Sequence, residues 1–225
     1  GAGKSTLMNI LGCLDRPTLG HYYLDGIDTA ALSPDELSAV RNKKIGFVFQ
    51  SFNLISRTSA LKNVELPMTY ARIPKRKRTE RAMELLECVG LEKRAGHMPN
   101  EMSGGQRQRA WIAMTLAQET EMILLDEPTT YLDMAYQLDV LQLLERMNRE
   151  KQLTIVMVLH DLNEACRFAD HIIGLKNGKV VCEGKPADVI TRENIREIYG
   201  IDAKLVMSDG GYPICMEFDR VIKTL

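Results

Sequence analysis

Apolar positions along this chain follow two alternating periods. Leu7, Ile10, Leu11 and Leu14 stand at helical spacing directly after Gly1–Thr6, predicting a helix that starts where the glycines end. Gly20–Ile27, with Asp25-Gly26 at its centre, predicts a hairpin. Ser33-Pro34-Asp35-Glu36 opens the next helix: Ser33 caps it, Pro34 suits the first helical position and Glu36 completes a capping box. A short strand, 45–49, ends at Gln50. From 51 to 101 the period is helical, with helices expected over about 59–72 and 74–89, the second stopped by Gly90. This segment reads as an inserted helical subdomain.

Helix and strand then alternate: a helix over about 104–117, the almost wholly apolar strand 122–125, and a helix over 134–149 with Leu138, Leu141, Leu144 and Met147 on adjacent turns. The strand 153–159, the helix 161–168 and the strand 171–175 continue the alternation. Strands separated by helices indicate a mostly parallel α/β sheet built from βαβ units. Asn177-Gly178 makes a hairpin into 180–183, and the tail is expected to hold one short helix, 193–199, and two strands flanking Gly210-Gly211.

Composition narrows the picture modestly. A chain of 225 residues, 45% apolar and 26% charged, can bury a full core. With 29 Lys and Arg against 30 Asp and Glu there is no global basic field, so no nucleic-acid partner is expected and an acidic ligand must meet a local site. The basic run Lys75-Arg76-Lys77-Arg78, with Arg81, fits either a solvated helix start or contact with a lipid headgroup or nucleic acid. Cys13, Cys88, Cys166, Cys182 and Cys215 are odd in number and widely spaced, and are expected to be reduced packing residues. No apolar run reaches the length of a membrane span, so work at a membrane would run through a partner.

Candidate chemistry lies in three places. Gly1-Ala2-Gly3-Lys4-Ser5-Thr6 fits the second half of a phosphate-binding loop, whose backbone N–H groups surround an anion while Lys4 meets the β and γ phosphates and Ser5 ligates Mg²⁺; it also fits a glycine-rich turn before an amphipathic helix. Met122–Pro128 is an apolar strand ending in two acids, a costly placement unless a cation or reacting group meets them. Asp126 would hold Mg²⁺ and Glu127 would orient or deprotonate the attacking water. Ser103-Gly104-Gly105-Gln106 opens a helix, as either a second anion-binding terminus or an ordinary cap.

Taken in this order, the motifs resemble those of the ABC ATPases, the nucleotide-binding subunits of ABC transporters, over essentially the whole chain. The resemblance implies a P-loop NTPase fold, ATP and Mg²⁺ as ligands, and hydrolysis of ATP. It makes Gly1 to Thr6 the Walker A loop, Gln50 the Q-loop glutamine that reaches metal or attacking water, and Ser103 to Gln106 the signature motif. Asp126 and Glu127 become the Walker B pair, Leu132-Asp133 the D-loop and His160 the switch histidine, donating to developing charge. It further implies a RecA-like core over 1–50 and 119–184, a helical subdomain with the signature helix over 51–118, and a tail over 185–225. Two copies would pack head to tail around two ATP molecules and work with an integral membrane permease at the cytoplasmic face of the membrane.

The resemblance is a mosaic. From Lys4 to about Gln106 it is similar to the macrolide-export and lipoprotein-release class; from Ala110-Trp111-Ile112-Ala113-Met114 onward, with Thr129–Asp133, it is similar to iron-siderophore and cobalamin importers. The Q-loop and helical subdomain face the permease in this family, which favours an export-type partner. A soluble, non-transport ABC-type ATPase and a nonhydrolysing regulatory module are the other classes, and Glu127 speaks against the second. The motif begins inside the Walker A loop, so an N-terminally truncated domain is expected, with reduced stability and weak affinity for ATP.

Overall fold

The computed structural model describes residues 3–48, 54–130 and 132–220. Met8–Val158 form one compact unit; the segments before and after it, to Leu7 and from Leu159, form another.

Helix α1 (Lys4–Leu11) begins directly after Gly3. Strands β1 (Tyr23–Leu24) and β2 (Ile27–Asp28) pair antiparallel across Asp25-Gly26, as the turn chemistry predicts. Helix α2 (Pro34–Lys44) carries the expected capping box: Ser33 Oγ accepts from Glu36 N at 3.3 Å, and Glu36 Oε2 accepts from Ser33 N at 2.7 Å. Strand β3 (Ile45–Val48) follows.

Three helices come next: α3 (Ala60–Tyr70), capped by Ser59; α4 (Lys75–Cys88); and α5 (Gly104–Leu116). Their contact faces, including Val64, Met68, Leu85, Leu86 and Ile112, are buried together. The chain then enters β4 (Met122–Asp126), α6 (Met134–Lys151) and β5 (Thr154–Val158). Strands β3, β4 and β5 form a parallel sheet in that order, with Val48 opposite Leu125 and Asp126 opposite Val158. Strand β4 is buried on both faces: Ile123 and Leu125 pack into the helical cluster, while Leu124 packs with Met8, Leu37, Ile45 and Val158 on the other side. That burial explains why the strand reads as an uninterrupted apolar run. The Trp111 indole N–H of α5 donates to the Phe47 carbonyl of β3 at 3.4 Å.

In the other unit, α7 (Leu162–Phe168) is capped by Asp161, whose Oδ1 accepts from Glu164 N at 2.9 Å. Strands β6 (Ile172–Lys176) and β7 (Lys179–Gly184) form an antiparallel hairpin. Helices α8 (Pro186–Val189) and α9 (Arg192–Tyr199) and the hairpin of β8 (Ile201–Met207) with β9 (Pro213–Arg220) complete it. Cys166, Val189, Ile195, Ala203 and Cys215 form its core. Asn163 ties α7 to β9, donating to the Cys215 carbonyl at 3.2 Å and accepting from Cys215 N at 2.7 Å.

Three expectations change. Among the described residues β6 pairs only with β7 and does not join the parallel sheet, because the tight Asn177-Gly178 turn makes the next strand its nearest partner. The tail holds a second helix, α8, whose single turn is too short to show a period. The cysteines are all free, and Cys13, Cys166 and Cys215 are buried, but Cys88 is exposed at the end of α4 and is no packing residue.

Candidate functional site

Gly3 has φ of +85°, a left-handed conformation that favours glycine, and Leu7 N donates to its carbonyl at 3.0 Å. The chain therefore turns sharply into α1, leaving Lys4, Ser5 and Thr6 in the first helical turn. Their N–H groups lack helical partners and that turn contains no acid, so the local field favours an anion. Ser5 and Thr6 are exposed. Gly1 and Ala2 lie outside the described residues.

The parallel register arranges the sheet-borne candidates. Asp126 is the last residue of β4, and Glu127 follows with φ of +54°, an uncommon conformation for a glutamate. Thr130 supports it: Thr130 Oγ1 donates to Glu127 Oε2 at 3.2 Å and Thr130 N to Glu127 O at 3.3 Å. Asp126 Oδ1 is shielded from solvent. Because the strands run parallel, β3 and β5 end at the same edge as β4. Gln50, two residues beyond β3, falls outside the described residues. His160 comes two residues after Val158, the register partner of Asp126, and is exposed.

At α5, Ser103 Oγ accepts from Gln106 N at 3.3 Å and Gln106 Oε1 accepts from Ser103 N at 3.0 Å, a second capping box. Two backbone donors are thus satisfied internally, and an anion would meet the N–H groups of Gly104 and Gly105. Both glycines sit against the segment that starts α6. A Cβ on Gly105 would lie 3.1 Å from Tyr136 Cγ, and one on Gly104 would lie 3.8 Å from Leu132 Cδ2. Asp133 itself caps α6, accepting from Tyr136 N at 3.2 Å. Gly104 and Gly105 therefore pack against Leu132 and Tyr136, which lie on either side of Asp133. Lys4–Thr6 and His160 belong to one unit, while Asp126, Glu127, Ser103–Gln106 and Asp133 belong to the other.

Thr130, Tyr136 and Gln137 were not anticipated. Gln137 Nε2 donates to the Thr129 carbonyl at 3.2 Å and, with Thr130, braces the loop after Glu127. The run Thr129-Thr130, directly after an acid pair and a proline, is the signal that could have pointed to Thr130; no sequence signal marks Tyr136 or Gln137. Among the described residues no cluster of three or more His, Cys, Asp or Glu side chains forms a metal site. The carboxylate oxygen of Asp126 is of the donor type that a hard cation such as Mg²⁺ takes, and so, in the other unit, is the hydroxyl of Ser5.

The model of the family described as ABC transporter matches residues 1–130. The chain is 50% identical over 190 residues to the macrolide export ATP-binding/permease protein MacB of Rhodospirillum rubrum, covering 84% of this chain and 29% of that protein. It therefore spans under a third of that relative's length. It is 49% identical over 189 residues to the uncharacterized ABC transporter ATP-binding protein MJ0796 of Methanocaldococcus jannaschii, covering 82% of this chain and 80% of that one. A dimeric structure of MJ0796 in a post-hydrolysis state with ADP and Pi superposes with a TM-score of 0.75 at 48% identity, over 82% of this chain and 81% of that one. An ABC transporter assigned to the metal-chelate type, in an inward-facing conformation, matches all of this chain and 85% of its own with a TM-score of 0.78 at 28% identity.

Proposed function

The chain belongs to the ABC transporter family, whose members hydrolyse ATP, and we propose that it is the ATP-hydrolysing subunit of a transporter, driving a partner membrane permease from the cytoplasmic face. The observation that carries this reading is the end of β4: a strand buried on both faces delivers Asp126 and a strained, braced Glu127 to the carboxyl edge of a parallel sheet.

Each residue has a task its surroundings support. The first turn of α1 binds the phosphates through N–H groups and the Lys4 ammonium. Ser5, Asp126 and Gln50 would hold Mg²⁺, which when bound neutralises charge on the transferring phosphoryl group. Glu127 takes a proton from the attacking water while Thr130 fixes its carboxylate, and His160 donates to charge developing on the phosphoryl oxygens. The oxygen of water bonds to phosphorus, the bond to the leaving ADP oxygen breaks, and ADP and inorganic phosphate result. Ser103–Gln106 and Asp133 complete the site of a second copy, so that ATP holds two chains together and its hydrolysis releases them.

Replacing Glu127 by Gln is expected to leave ATP binding intact, cut turnover by about 10² to 10⁴ and trap a nucleotide-bound dimer, whereas Lys4→Ala loses binding. Calorimetry and size-exclusion with Mg·ATP test both; a Glu127→Gln chain that stays monomeric at saturating ATP overturns the two-copy mechanism. The permease is proposed to be of the export or lipoprotein-release type, supported by the 50% identity to a macrolide exporter. Capture experiments against one permease of each class test this. Preferential capture by a siderophore-import permease would overturn it in favour of the class suggested by the metal-chelate neighbour.

A further inference from the structure

The α3–α4 tip breaks a rule that six of the other described helix starts keep. Helix α4 opens with Lys75, Arg76, Lys77 and Arg78, four cations at the positive end of a helix, and its N-cap is Pro74, which offers no side-chain acceptor. Helices α2, α3, α5, α6, α7 and α9 each begin with a Ser, Thr or Asp side chain accepting a backbone N–H. Helix stability does not account for this charge.

The charge is concentrated and open. Residues 70–81 hold six Lys and Arg and one acid, leaving 23 Lys and Arg against 29 Asp and Glu elsewhere, so a patch of +5 sits on a chain otherwise at −6. Arg72, Lys75, Arg76 and Lys77 are exposed. Arg76 pairs with Glu80 at 2.9 Å and Arg81 with Glu84 at 2.9 Å, but among the described residues Arg72, Lys75 and Lys77 have no carboxylate partner. At the end of α3, Tyr70 is 79% exposed beside them. Exposed cations that follow an exposed aromatic residue within a few positions, on a chain otherwise acidic, match a surface dense in negative charge with an interfacial layer that accepts a phenol.

We propose that the α3–α4 tip, Tyr70 to Arg78, docks directly on the anionic headgroups of a lipid bilayer. The cations meet the lipid phosphates and carboxylates, Tyr70 enters the interfacial layer, and the acidic remainder is repelled, so the contact has one orientation. Sequence reading left this run open between a solvated helix start and contact with a lipid headgroup or nucleic acid; the exposed cations without carboxylate partners and the exposed Tyr70 favour the lipid contact, which requires no permease. It is also independent of nucleotide, so its failure leaves the ATPase proposal untouched and the converse holds.

Vesicle sedimentation of the full chain, without ATP or permease, tests it. Vesicles containing about 30 mol% phosphatidylserine should capture the chain, and purely phosphatidylcholine vesicles should not. Capture should vanish at roughly 0.5 M salt, where screening shortens to about 4 Å. The variant Lys75→Glu/Arg76→Glu/Lys77→Glu should bind at least about 100-fold more weakly, the loss of three cations at roughly fivefold each, before the added repulsion of three acids. Acids suit that end of the helix, so this variant should melt no lower than the parent, which separates lost binding from lost folding. Equal capture by neutral vesicles, or undiminished capture of the variant, overturns the proposal. Tighter, charge-reversal-sensitive binding to duplex DNA than to anionic vesicles also overturns it, and would assign the patch to nucleic acid.

Discussion

The end of β4 and the start of α5 were both read from sequence as parts of one catalytic apparatus, yet they are built on opposite terms. At α5 every device is self-consistent: Ser103 and Gln106 satisfy each other's backbone donors, and Gly104 and Gly105 let the helix lie against Leu132 and Tyr136. At β4 the local rules are broken. A strand buried along its middle ends in two acids, Asp126 and Glu127, and Glu127 sits at positive φ, braced by Thr130. A segment that keeps every local rule is explained by stability; one that violates them at a cost in strain points to chemistry.

Substitutions can break or sharpen this contrast. The largest effect is expected at Glu127→Gly, which removes the carboxylate and relaxes the backbone. Turnover should fall by about 10² to 10⁴, while strain relief of about 1 kcal/mol offsets a lost hydrogen bond of similar size, leaving the melting temperature near the parent's. A large drop in melting temperature with turnover preserved would make Glu127 structural. Next comes Gly105→Val, whose side chain must displace the Tyr136 ring; denaturant unfolding should show a loss of about 1 to 3 kcal/mol, and no loss would mean that the α5–α6 contact is loose. Ser103→Ala should cost about 1 kcal/mol in the same experiment without nucleotide.

The smallest expected effect separates the two capping boxes. The Ser33 backbone N–H and then its hydroxyl donate to Glu36 and hold its carboxyl below the ordinary value of 4.5. Its contribution is therefore complete above that value and is lost as pH falls through the lowered one. Gln106 occupies the same position in the α5 box and cannot titrate. In amide NMR the Ser33 N–H should titrate in acid and the Ser103 N–H should not; parallel behaviour would remove the distinction.

Legibility followed the length and redundancy of the signal. Strand β4, the Ser33 capping box and both Asn-Gly and Asp-Gly hairpins were readable because periodicity and turn chemistry agree there, while at Ser103 the sequence left an ordinary cap and an anion-binding terminus both open. Helix α8 was not, since one turn shows no period, and neither was the pairing of β6, which depends on what lies beside a strand rather than on its own residues. Within the candidate site, residue types announced Lys4, Asp126 and Glu127. The bracing of Glu127 by Thr130, and the placement of Leu132 and Tyr136 against the α5 glycines, arise from backbone geometry and from contacts distant in sequence. Burial explains the thiols similarly: it pushes Cys166 up to about 12, helped by the neighbouring Cys215 thiol, whereas nothing in the spacing distinguished it from exposed Cys88.

The bond from the Trp111 indole to the Phe47 carbonyl works as a compliant joint. At 3.4 Å it already stands at the long end of hydrogen-bond geometry, so a few tenths of an ångström of travel by α5 along β3 exhausts it. Beside it α5 and β3 are closely fitted, since a Cβ on Gly46 would fall 2.5 Å from Thr115 Cγ2. A displacement of β3 is therefore handed to α5 through packing, while this long bond is the contact that stretches first.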